Sequence, residues 1–118
     1  MTSYRFGISR TAWMVSSVLA ALLLLPAAPQ AMAAASEVTV KIDNFTFSPA
    51  DLTITPGTTV TWINNDDIPH TVAETDKTFR SKALDTDDQY SFTFTTSGEF
   101  SYFCSLHPHM TGKITVKP

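Results

Sequence analysis

The chain has 118 residues, with 8 basic and 11 acidic side chains, 43% hydrophobic residues and a single cysteine. That length allows one domain, and one cysteine excludes an intramolecular disulfide. The acidic balance argues against nucleic acid or an anionic membrane as partner.

The first element in chain order is an export signal over residues 1–35. Arg5 and Arg10 give a positive start, Ala12 to Leu25 form an apolar run of 14 residues, and Pro26 and Pro29 break it. Ala31, Ala33 and Ala35 then provide two overlapping Ala-x-Ala cleavage patterns. A spanning helix needs about 20 apolar residues, so the segment is expected to be a cleaved Sec-type signal rather than an anchor. The arginines are not adjacent, so a twin-arginine signal is not indicated. The domain is expected over 36–118, without stable membrane association. There, six basic residues face all 11 acidic ones, a net charge of −5. In the oxidising compartment beyond the membrane, a leftover cysteine is reactive, buried, paired with another chain or bound to something.

Beyond the signal the chain alternates with period two between turn signals. Val38, Val40 and Ile42 alternate with Thr39 and Lys41. Leu52 and Ile54 alternate with Thr53 and Thr55, before a turn at Pro56-Gly57. Val60 and Trp62 share one face of the next run, which Asn64-Asn65-Asp66-Asp67 ends, and Val72 lies in a short run after Pro69. Tyr90, Phe92 and Phe94 form one face of a later strand, with Ser91, Thr93 and Thr95 opposite. Ser97-Gly98 turns the chain into Glu99 to Cys104, and Ile114 and Val116 make a last strand after Gly112. Threonine, valine and aromatic residues suit half-buried strands. Six or seven such strands predict an all-β fold, an antiparallel Greek-key β-sandwich. Trp62 and the Phe92/Phe94 face read as core. The stretch from Glu74 to Asp88 reads as a loop, with one short strand or helical turn around Phe79 to Ala83.

Chemistry concentrates in Tyr102 to Met110. A thiol (Cys104), an imidazole (His107) and a thioether (Met110) recur at three-residue intervals between two predicted strands, and His70 closes the Asn/Asp-rich turn. Taken singly, Cys104 reads as an inert buried thiol, Met110 as core filler and each histidine as a surface group. Together they form a metal-ligand pattern. Two histidines and one cysteine with a weak axial methionine are a copper set, in which little has to move when an electron arrives. The expected ligands are therefore His70, Cys104, His107 and Met110, for one copper ion cycling between Cu(I) and Cu(II). His109 reads as solvated. Asp85, Asp87 and Asp88, with Asp76, read as a solvated loop, the alternative being a docking patch for a basic partner.

These segments resemble the cupredoxin family of type 1 blue copper proteins, in its amicyanin, pseudoazurin and plastocyanin branch. The resemblance rests on Phe47-Ser48-Pro49, Ile54-Thr55-Pro56-Gly57, Val60 to Asn64, Pro69-His70, and Tyr102 to Met110 followed by Gly112 to Val116. It implies a sandwich of about seven to eight strands with copper at one end. It also implies periplasmic electron shuttling between larger redox proteins, a c-type cytochrome or a dehydrogenase, by a monomer that is not an enzyme. In the family the loop histidine, here His107, reaches the surface through an apolar patch, for which Pro69, Leu106 and Pro108 are the candidates. The competing reading is copper storage, delivery or sensing without redox turnover; a closed four-ligand set with a single methionine favours the carrier. Phe103 and Ser105 flank the cysteine where copper enzymes of this descent place extra histidines, which argues against catalysis. Two positions depart from the branch. Thr71 stands where asparagine ties the ligand loops together, and its hydroxyl is expected to be a poorer bridge, while its N–H can donate to the Cys104 sulfur. Leu106 stands where proline is common, and its N–H is a second candidate donor to that sulfur.

Overall fold

The structure is a computed structural model that describes residue 7, residue 21, residues 23–27 and residues 36–118. The expected export signal falls almost wholly outside the described residues. The chain divides into two units, Met1–Ala31 and Met32–Pro118, and all the strands belong to the second.

Among the described residues eight strands form: β1 (Glu37–Asp43), β2 (Thr46–Ser48), β3 (Asp51–Ile54), β4 (Thr58–Asn64), β5 (Ala73–Glu74), β6 (Gln89–Phe94), β7 (Gly98–Cys104) and β8 (His107–Val116). They build two four-stranded sheets, β2-β1-β4-β6 and β3-β8-β7-β5. The expected all-β sandwich is present, and each sheet is mixed. β1 runs parallel to β4 and β3 parallel to β8, while the other four pairings are antiparallel. The parallel pairs follow from the connections. After the β1–β2 hairpin the chain crosses to the other sheet as β3, so it returns beside β1 in the same direction.

The period-two pattern sets the core. In β4, Thr58, Val60, Trp62 and Asn64 are buried and the residues between them are half-exposed. Trp62 sits at the centre, with ring contacts to Phe79, Tyr90, Phe94 and Tyr102. The Glu74–Asp88 stretch contributes Phe79 and Leu84 to this core, each almost fully buried. Single bridges of Ala73 to Arg80 and of His70 to Leu84 hold it. Among the described residues it contains no helical turn.

Tyr102 and Trp62 leave an unusual pair of polar atoms inside. The Tyr102 hydroxyl and the Trp62 indole N–H are buried without a hydrogen-bond partner. Burial pushes the phenol up to about 12, and the nearby indole N–H, although not in hydrogen-bond geometry, opposes that rise. An unpartnered buried hydroxyl costs stability. Tyr102→Phe is therefore expected to leave denaturant stability unchanged or raise it by about 1 kcal/mol; a clear loss would reveal a hydrogen bond made by the hydroxyl. Gly112 lies against the same ring, where any Cβ would overlap it. That contact explains a glycine inside a strand.

Candidate metal centre

β4 ends at Asn64, whose buried side chain folds the chain that follows. Its Nδ2 donates to the carbonyls of Ile68 (2.9 Å) and Leu84 (2.8 Å), and its Oδ1 accepts the Asp66 N–H at 2.9 Å. This brace delivers His70, fully buried, into reciprocal backbone hydrogen bonds with Leu84 (3.1 and 2.7 Å). Cys104 ends β7 on the inward face, and Ser105-Leu106 turns directly into β8, so that Cys104 pairs with His107. Tyr102 to Met110 is thus a tight hairpin, with Cys104 and His107 on the facing strand ends. Phe103 pairs with Thr111, so Pro108, His109 and Met110 bulge out of the ladder. Such a bulge re-aims side chains. Met110 is buried at 5% exposure, whereas His109 is exposed and outside the cluster.

The two distant segments converge. Cys104 Sγ lies 3.7 Å from His70 Nδ1 and 3.6 Å from His107 Nδ1, and the three ligand atoms all lie within 4.8 Å of one another. Metal–nitrogen bonds of about 2.0–2.1 Å and a metal–thiolate bond of about 2.3 Å, at a trigonal angle, would separate nitrogen and sulfur by about 3.8 Å. The spacing therefore fits one ion held by all three. The donors, two imidazoles and a thiolate with a buried thioether on the same hairpin, are those that select copper.

The surroundings hold these side chains in place. His70 Nε2 lies 2.7 Å from Asp66 Oδ2; with the proton on Nε2, the imidazole donates to the carboxylate and turns the Nδ1 lone pair towards the sulfur. Asp66 also accepts the N–H groups of Asn44 (2.6 Å) and Phe45 (3.0 Å). The Phe45 N–H above all holds the Asp66 carboxyl below its ordinary value, against a smaller opposing effect of burial. Thr71 N–H donates to Cys104 Sγ at 3.3 Å, as expected. Leu106 N–H makes no hydrogen bond to the sulfur among the described residues, because the two-residue turn leaves Thr71 as the backbone donor. Thr71 bridges the two ligand segments better than expected. Its Oγ1 accepts the Ser105 N–H at 2.7 Å and lies 2.7 Å from the Ser105 hydroxyl. Thr71→Val, which removes these bonds and keeps the N–H, is expected to cost the metal-free protein about 1–2 kcal/mol in denaturant unfolding. No loss would mean that water replaces the bridge.

Pro69, Leu106 and Pro108 are all exposed, and His107 is partly exposed. Asp76, Asp85 and Asp87 are exposed on turns, and Asp88 folds back to accept the Asp85 N–H at 3.0 Å. Sequence reasoning missed Asp66 and Phe45. Asp66 stands four residues before His70, a spacing that signals nothing in a loop, and Phe45 lies in a turn that carries no glycine to announce it.

A β-sandwich in which His70, from the segment after β4, meets Cys104 and His107 of the β7–β8 hairpin has the donor set of a copper protein. The family model for copper binding proteins, plastocyanin/azurin family, matches residues 34–117, and the chain belongs to that family, a cupredoxin. It is 35% identical over 88 residues to the amicyanin of Paracoccus versutus, covering 70% of this chain and 67% of that one. Amicyanin-alpha of Methylorubrum extorquens is 31% identical over 122 residues, covering 99% and 100% of the two chains. Among solved structures, a novel purple cupredoxin from Nitrosopumilus maritimus superposes with a TM-score of 0.65 and 34% identity, over 68% of this chain and 99% of that chain.

Proposed function

We propose that the protein is a periplasmic one-electron carrier whose copper is held by His70 Nδ1, Cys104 Sγ, His107 Nδ1 and the Met110 sulfur. When bound, copper supplies a Cu(I)/Cu(II) couple. The observation that carries the reading is the convergence of three soft or imidazole donors within 4.8 Å, two from the β7–β8 hairpin and one from the braced segment after β4. His70 and Cys104 are fully buried, so they keep their places when charge changes nearby. Thr71 N–H stabilises negative charge on the sulfur, which favours the reduced state. His107, the partly exposed imidazole of the two, is the route by which the electron leaves, and the exposed apolar Pro69, Leu106 and Pro108 suit brief docking of a redox partner such as a c-type cytochrome or a dehydrogenase. The amicyanin relatives support the carrier reading, and the proposed carrier acts as a monomer and is not an enzyme. The apolar run and Ala-x-Ala pattern of residues 1–35 support export.

The test is the visible spectrum of copper-loaded protein before and after ascorbate. An intense sulfur-to-copper charge-transfer band that bleaches and returns on reoxidation is expected. A colourless protein that binds Cu(I) alone would instead support copper handling.

A further inference from the structure

In a two-residue hairpin turn of type I′, both central residues are left-handed, and glycine is the usual second residue. Asp43 pairs with Thr46 in the β1–β2 hairpin, so Asn44 and Phe45 are the whole turn, with φ of 50° and 57°. Asparagine enters this region readily and phenylalanine does not. The core does not explain the choice either, because Phe45 is 51% exposed. A bulky residue that is strained at its backbone and half in water points to a role at that position.

The Phe45 ring stands at 89° to His70, with centroids 5.6 Å apart, and at 90° to His107, 5.0 Å away. Perpendicular aromatic pairs at about 4.5–7 Å attract one another. The Asp66 carboxylate that aims His70 through Nε2 also takes both N–H groups of the turn, so one side chain fixes His70 and the ring together. His107 has no equivalent tether. Among the described residues its imidazole makes no hydrogen bond except its contact with Cys104 Sγ, and it is partly exposed.

We propose that Phe45 is a positioning residue for the metal centre: its ring holds the His107 imidazole with Nδ1 turned towards Cys104. The proposal rests on the reading of His70 and His107 as ligands, and its backbone strain is the mark of selection for the site over the turn.

Phe45→Gly separates the two demands, since glycine suits the turn and removes the ring. In metal-free protein the variant is expected to unfold at an unchanged or higher denaturant concentration. Its His107 side chain is expected to average between rotamers by NMR coupling constants, where the wild type keeps one. In copper-loaded protein, transfer of the metal to a chelator should be about tenfold faster or more, and Phe45→Tyr should stay close to the wild-type rate. A single His107 rotamer with unchanged copper transfer in Phe45→Gly would overturn the proposal. So would a lowered unfolding midpoint, which would assign the ring to the fold, or a Phe45→Tyr variant as leaky as Phe45→Gly. If the wild type held no copper, the functional reading would fail, while the metal-free NMR comparison would still decide whether the ring holds His107.

Discussion

Cys104→Ser is expected to give a folded protein that carries no charge-transfer band and no reversible one-electron wave. The sulfur is the one soft anionic donor in the cluster, and it is fully buried with Thr71 N–H on it. A serine hydroxyl in its place stays protonated near neutral pH and is a hard, weak ligand, so two imidazoles and a thioether remain without a covalent path for the electron. The fold tolerates the change, because the hydroxyl inherits the Thr71 N–H as a partner. The expected cost is about 1–2 kcal/mol, from a polar atom placed among apolar neighbours. Absorbance and voltammetry on one copper-loaded sample check both halves. A serine variant that kept the intense band would remove the sulfur from the account.

Asp66→Ala has the second largest expected effect. It takes the acceptor from His70 Nε2, which is buried, and from the N–H groups of Asn44 and Phe45. Loss of a common partner for three donors is expected to destabilise the metal-free protein by about 3 kcal/mol in denaturant unfolding. Copper affinity, measured by chelator competition, should fall about 10–100-fold, because the imidazole loses its orientation and basicity. Asp66→Asn should fall between the variant and the wild type. Its amide oxygen in the place of Oδ2 can accept two of the three hydrogen bonds, from Phe45 N–H and His70 Nε2, but its NH2 group then faces the Asn44 N–H. Unchanged copper affinity in Asp66→Ala would show that Asn64 and Leu84 position His70 without help.

Most strands and the Cys104 to Met110 donor pattern were legible because both are written locally. The period-two runs ending in Asn64 and Cys104 mark buried faces, and Cys104, His107 and Met110 lie within seven residues of one another. What escaped is written between distant residues. β2 was not read because Asn44-Phe45 lacks the glycine that announces a two-residue turn; a carboxylate 21 and 22 residues away holds that turn instead. The mixed character of the sheets depends on where β3 crosses over, and alternation carries no strand direction. Phe79 and Leu84 entered the core on isolated bridges, too short to generate any periodicity. The Thr71–Ser105 bridge spans 34 residues, and hydroxyl geometry cannot be inferred from residue type.

In the proposed carrier the fold sets the donor atoms around the metal and keeps them there in both oxidation states. X-ray absorption at the copper edge, on the oxidised and then the ascorbate-reduced protein, measures this directly. One short sulfur and two imidazole nitrogens should surround the metal in both spectra, with small changes in distance. Loss of the sulfur, or oxygen ligands appearing in either state, would contradict the account.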